Sequence, residues 1–168
     1  MRGARGDHQG SSQGAPPEPQ GAPADASLAK RTMPSAIGLI VATHGRLSEC
    51  LVETAELILQ RPSGLVPFPF RADEDPPSAS RKLQSLIKKC DKGKGVIILV
   101  DLFGGTPGTL ALSLLEETAV EVVTGVNLPM ALAAATLEPA LSLEAATQAL
   151  EQAGRSAIKG AGLLLKSP

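Results

Sequence analysis

Tryptophan and tyrosine are absent from the 168 residues, and three phenylalanines make up the whole aromatic content of 2%. The apolar residues, 43% of the chain, are therefore mainly Leu, Ile, Val and Ala, and the core must be aliphatic. Proteins that hold single-stranded nucleic acid stack its bases on aromatic rings, and this chain has almost none to offer. A net charge of −1 leaves no basic footprint for DNA, RNA or an anionic membrane. No apolar run approaches the ~18 residues of a membrane span, so direct membrane insertion is not expected. The N-terminus lacks the apolar stretch of a secretory signal. The two cysteines, Cys50 and Cys90, form no C-x-x-C motif and have no His/Cys cluster around them, which argues against zinc and redox chemistry. Both fall in helical patterns and are expected to be buried or idle. Together these absences lead to the expectation of a cytoplasmic protein with no metal and no organic cofactor.

Residues 1–34 hold five glycines and five prolines, with Leu28 and Met33 as the only large apolar residues after Met1. Such a segment cannot bury enough surface to offset its ordering entropy. The expected organisation is a disordered tail over 1–34 and one domain over 35–168. Met33 is an alternative start for the chain, and His8 reads as a solvated bystander.

From Ser35 the pattern is regular. Ala36–Ala42 is a short apolar run that predicts a buried strand ending at Thr43-His44-Gly45. Leu47, Leu51, Ala55 and Ile58 recur at helical spacing. Leu65–Phe70 predicts a strand, and Pro67 and Pro69 place it at an edge or make it irregular. Asp75–Cys90 predicts a helix. Val96–Val100 is apolar at every position, which suits a parallel strand covered on both faces. A turn at Asp101–Pro107 leads into a helix over Gly108–Glu117. Val120–Thr124 predicts a fourth strand, Leu128–Leu137 and Leu143–Gly154 further helices, and Ala157–Leu165 a last strand. This alternation predicts an α/β fold: a doubly wound, mainly parallel open sheet with helices on both faces. Sites in such folds form at the carboxyl ends of strands beside the switch point.

Two strand ends carry reactive groups. His44 is the single histidine of the regular region, and neutral imidazole is a good nucleophile near pH 7. Asp101 can accept a hydrogen bond from Nδ1–H, which fixes the tautomer, presents Nε2 and stabilises the cation formed on attack, as the aspartate of a hydrolase triad does. A strand-end histidine can equally be satisfied by a backbone carbonyl, and a strand-end aspartate can simply cap a turn. Asp101 can also be read as an aspartyl-phosphate acceptor, but such receivers need an acidic pair after the first strand, where this chain has Thr43-His44. Gly104-Gly105-Thr106-Pro107 reads as a loop entering a helix, with Thr106 as N-cap and Pro107 at the first helical position. Paired glycines let backbone N–H groups approach an anion, and a helix N-terminus favours negative charge. An ordinary turn and cap is the plainer reading, and the P-loop pattern is absent. Arg46 can help neutralise a phosphoryl group or be a solvated first-turn residue. Leu102 and Phe103 beside the site suggest protein docking or simple packing.

Ile37–Gly45 (IGLIVATHG), Val100–Pro107 (VDLFGGTP) and Gly125–Met130 (GVNLPM), in this order and spacing, resemble the IIA component of the mannose-family sugar phosphotransferase system. The resemblance covers about residues 36–165. It implies that His44 is phosphorylated, that Asp101 orients it and that Gly104, Gly105 and Thr106 bind the phosphoryl group. The family often has Ser at the Thr106 position, which keeps the hydroxyl, and Leu102 stands where a polar residue can occur. The resemblance also implies HPr as phosphoryl donor and a IIB component as acceptor, with possible association with a membrane permease complex. It further implies a homodimer whose last strand, here Ala157–Leu165, crosses to the partner's sheet. Gly160 and Gly162 make that strand weak by propensity. The alternatives are a regulatory phosphorylation-state sensor that binds a partner protein, and a non-catalytic binding module with His44 idle.

Overall fold

A computed structural model of the chain describes residues 36–115 and 119–164. The expected N-terminal tail lies outside the described residues. The elements run β1 (Gly38–His44), α1 (Leu47–Leu59), β2 (Val66–Phe70), α2 (Pro76–Cys90), β3 (Val96–Val100), α3 (Thr106–Leu112), β4 (Val120–Thr124), α4 (Leu128–Ala134), α5 (Leu143–Ser156) and α6 (Ala161–Leu164). Among the described residues the sheet has four strands in the order β2-β1-β3-β4, all parallel.

Alternation along the strands sorts the core into two layers. Ile40 and Ala42 of β1, with Val96, Ile98 and Val100 of β3, pack against Leu83 and Ile87 of α2 and Ala111 of α3. Val41 of β1, with Ile97 and Leu99 of β3, packs against Val52 and Ala55 of α1, Met130 of α4 and Leu150 of α5. All five residues of β3 are fully buried, as its unbroken apolar sequence requires of a central strand covered on both faces. The doubly wound α/β expectation holds.

Edge strand β2 keeps Pro67 and Pro69 within its span. The Phe70 carbonyl accepts from the Gly45 N–H at 2.8 Å, so Phe70 points its backbone polar groups toward β1. By strand alternation, Pro67 and Pro69 turn theirs to the outer edge, where a missing N–H breaks no ladder.

Several expected boundaries move. Asp75 is the N-cap of α2, accepting from the Ser78 N–H, and two prolines open the helix. The third helix starts at Thr106 and ends at Leu112, with a turn after it. The N-cap there is Gly105 and not Thr106, because the extended backbone (φ −71°, ψ 163°) that a cap requires falls on the glycine. The fourth helix ends at Ala134, three residues before Leu137. The expected last strand is not a strand in this single chain: Ala161–Leu164 is one helical turn, and Leu165 lies outside the described residues. Its two glycines give it little strand preference, and no neighbouring strand is paired with it. Cys50 is exposed rather than buried. Cys90 is partly buried, and that burial raises its thiol pKa above the ordinary value. Among the described residues no helix is long and apolar enough to cross a membrane.

Candidate functional site

The switch point lies between β1 and β3, since the chain leaves β1 for β2 on one side and returns to β3 on the other. Register pairs Ala42 with Val100, so the next residues of the two strands, Thr43-His44 and Asp101, emerge side by side at the carboxyl edge. Doubly wound sheets form their sites there.

Asp101 grips His44 twice. Its Oδ2 accepts from the His44 backbone N–H at 3.0 Å and lies 3.1 Å from ring Nδ1, while Oδ1 lies 3.2 Å from Nδ1. An ionised carboxylate only accepts hydrogen bonds, so a neutral imidazole held in this way carries its proton on Nδ1 and its lone pair on Nε2. The carboxylate is shielded, with 16% of the Asp101 side chain exposed, whereas the His44 ring is 45% exposed. One ring nitrogen is thus held by the carboxylate, and the ring as a whole stays partly exposed.

The glycine loop completes this geometry by its closeness. Gly104 sits at φ +77°, in the left-handed region that favours glycine. Gly105 lies against the imidazole: a Cβ there would stand 2.6 Å from His44 Cε1 and 3.1 Å from Nε2. Real Cβ atoms do not come that close to a neighbour, and the ring cannot move away without leaving Asp101. Thr106 is exposed at the first position of α3.

The turn after β1 is anchored from inside. Thr43 is fully buried, and its Oγ1 accepts from the Ser48 N–H at 2.6 Å. It satisfies a free N–H of the first turn of α1 and ties that turn to the strand end. Arg46, the residue before α1, points its Nε at Glu49 Oε2, 2.9 Å away. That bond and the Glu49 charge raise the Arg46 pKa further above its ordinary value.

The third motif closes the edge. The Val126 N–H donates to the Val100 carbonyl at 2.9 Å, beside Asp101. Asn127 accepts from the Met130 N–H and donates from Nδ2 to the Gly154 carbonyl at 3.1 Å, joining α4 to the end of α5. A groove of about 490 Å³ is lined by Phe103, Thr124, Asn127, Arg155 and Ile158 among others. Leu102 and Phe103 project from the loop, 59% and 73% exposed.

Sequence reasoning brought together His44, Asp101 and the Gly104–Thr106 loop, and the structure places them at one edge. It missed the anchoring role of Thr43 and the contact of Gly105 with the ring. The available signal for Thr43 was its place directly after Ala42 in a strand covered on both faces. No three-ligand metal cluster of His, Cys, Asp and Glu occurs among the described residues.

The family described as PTS system fructose IIA component, EIIA-man, matches residues 38–151. The mannose-specific EIIAB component of Escherichia coli K12 is 34% identical over 95 residues, which is 56% of this chain and 29% of that protein. The chain therefore matches less than a third of that relative's length. The fructose-specific EIIA component of Bacillus subtilis 168 is 31% identical over 109 residues, 64% of this chain and 75% of the relative. The mannose/sorbose specific IIA subunit from Enterococcus faecalis has the same fold at TM-score 0.68 and 28% identity, covering 74% of this chain and 94% of that one. An EIIA component from Streptococcus agalactiae, 22% identical with TM-score 0.69, shares the fold over 76% of this chain and 98% of its own. With the match spanning all four strands and the three motifs meeting at one sheet edge, the chain belongs to the EIIA-man family of phosphotransferase-system IIA components.

Proposed function

We propose that the protein is a phosphoryl carrier that accepts the group on His44 Nε2 from HPr and passes it to a IIB component. The observation that carries this reading is the pair of contacts on one ring, with Asp101 at Nδ1 and Gly105 bare against the Nε2 edge.

The Nε2 lone pair attacks the phosphorus of the donor's phosphohistidine in line. The new N–P bond forms as the donor's N–P bond breaks, and the donor imidazole leaves with that electron pair. Nδ1–H stays on Asp101 throughout, and the carboxylate stabilises the cationic ring of phospho-His44. Transfer to the acceptor repeats the step in the other direction. Catalysis of this kind is positioning and charge stabilisation. Backbone N–H groups of Gly104 and Gly105 and the Thr106 hydroxyl hold the phosphoryl oxygens. The carrier works in the cytoplasm as a homodimer, in association with a membrane permease complex.

Labelled phosphoenolpyruvate with enzyme I and HPr tests the reading on wild type and His44→Ala. Acid-labile, alkali-stable label on wild type that disappears in His44→Ala is the expected result. Label that survives His44→Ala moves the acceptor to another residue, and unlabelled wild type with an active donor overturns the carrier reading.

A further inference from the structure

Two surfaces on opposite sides of the sheet complement each other. The first is the far half of α1. The chain leaves His44 at the carboxyl edge and returns along α1 to the amino edge, so Leu57 and Ile58 on the last turn lie away from the reacting histidine. They are 78% and 53% exposed and adjoin one another, an apolar patch that water disfavours. Glu53 stands one turn before Leu57. The helix carries Glu49, Glu53 and Glu56 and no lysine or arginine. Arg46 engages Glu49, the Ser63 N–H and hydroxyl engage Glu56, and Arg61 donates to the Pro62 and Ala135 carbonyls. Of the three carboxylates, Glu53 is the one with no partner among the described residues.

The second surface is a groove of about 510 Å³ between α2 and the edge strand β2, in the other helical layer. Phe68 and Leu86 give it an apolar lining, and Arg81, Lys82 and Lys89 make its rim cationic. Among the described residues no carboxylate lines it. Glu74 holds Lys82, whereas Arg81 and Lys89 have no ion-pair partner among the described residues. A Cβ on Gly38, the first residue of β1, would stand 2.7 Å from the Cys90 carbonyl oxygen, so the Lys89 end of α2 lies at the same amino edge as Leu57 and Ile58. An added strand does not fit beside this groove, because Pro67 and Pro69 leave the margin of β2 without donors. A helix does fit. Arg81 and Lys89 stand ~12 Å apart along the axis of α2, which is about the ~10–12 Å width of one helix with its side chains.

From this complementarity we infer that the groove of one copy takes α1 of a second copy, with Leu57 and Ile58 over Phe68 and Leu86 and with Glu53 between Arg81 and Lys89. This is recognition of an amphipathic helix by a groove, and the occupant is already present in the chain. The two surfaces lie on opposite sides of the sheet, so the contact is head to tail: each copy offers a helix to one neighbour and a groove to the other. Two α1 faces set together bring carboxylate against carboxylate, and two grooves bring cation against cation, so charge selects the mixed pairing. The contact is centred near the amino edge and leaves the edge of His44 open. It therefore stands apart from the carrier reading.

The test is sedimentation equilibrium of the full chain from about 10 μM to about 1 mM, on wild type, Glu53→Lys, Leu57→Asp and Lys89→Glu. The average mass of wild type is expected to rise at least about twofold over that range, while each variant keeps the mass of its smallest unit. An equimolar mixture of Glu53→Lys and Lys89→Glu is expected to associate, because the first retains an intact groove and the second an intact α1. A wild-type mass that does not change with concentration overturns the inference. So does association that survives in Glu53→Lys or in Lys89→Glu. Two variants that melt at the wild-type Tm and still fail to associate when mixed overturn it as well, since the mixture restores every contact of the pairing.

Discussion

Asp101→Asn exchanges one carboxylate oxygen for an NH₂ group and leaves the shape of the site intact. In the native site Oδ2 receives the His44 backbone N–H while the carboxylate receives the ring Nδ1–H. An asparagine that still satisfies the backbone N–H through its oxygen brings its NH₂ group, in the place of Oδ1, to about 3.2 Å from Nδ1, where a donor favours an unprotonated Nδ1. With Nδ1 as the acceptor the proton sits on Nε2, the nitrogen that has to attack. The variant also lacks the negative charge that stabilises the cationic phosphoimidazole. A charge-assisted hydrogen bond contributes about 1.5–3 kcal/mol, and each 1.36 kcal/mol is a factor of ten, so the charge alone accounts for about 10- to 150-fold. The wrong tautomer adds to this, and the same exchange in a hydrolase triad costs about 10⁴. The expected loss in phosphotransfer rate from HPr is therefore between about 10² and 10⁴. Stopped-time transfer of label measures the rate, and nitrogen-15 spectra of the imidazole read the tautomer directly. A folded Asp101→Asn protein that transfers within threefold of wild type, or keeps the proton on Nδ1, would refute the role given to the carboxylate.

Three further outcomes follow from the same geometry. Gly105→Ala puts a methyl group where the His44 ring stands, so phosphotransfer should fall at least about tenfold with Tm little changed, which rate and thermal melting check together. Thr43→Val strips the buried Ser48 N–H of its acceptor and should lower stability by about 1–3 kcal/mol in urea unfolding. Glu56 accepts two hydrogen bonds from Ser63, which hold its pKa below the ordinary carboxylate value. Its stabilising effect is present above the unfolded pKa and is lost as pH falls through the folded one, so Glu56→Gln should flatten the acid side of the stability profile. An acid limb identical to wild type would contradict this.

The strands were legible because burial on both faces leaves a mark that needs no tertiary knowledge. Val96–Val100 is apolar at every position, and that pattern has few other uses in a soluble domain. His44 and Asp101 were legible once strand order was assumed, because adjacency at a switch point brings strand ends together. The contact of Gly105 with the ring was not legible, since it depends on the approach of two loops about sixty residues apart in sequence. The N-cap of α3 shifted by one residue for a related reason: both Gly105 and Thr106 are acceptable caps, and the backbone path decides. In the single chain Ala161–Leu164 is a helical turn, and the strand expected over Ala157–Leu165 is one that pairs only with a partner's sheet. Helical spacing alone left Cys50 as buried or idle, because it does not say which face of α1 meets the sheet, and the structure leaves the thiol exposed.

The prolines of β2 have a consequence for how copies of this sheet can add to one another. A sheet with two open margins can recruit strands on both sides, and repetition of that step has no natural end. Here one margin presents Pro67 and Pro69 and offers no donor at either position, while β4 on the far side contains no proline. Among the described residues the valence of the sheet for strand addition is therefore one. Any joining of two sheets through β4 uses up the margin of both, leaves only proline-blocked strands outermost and stops at a pair.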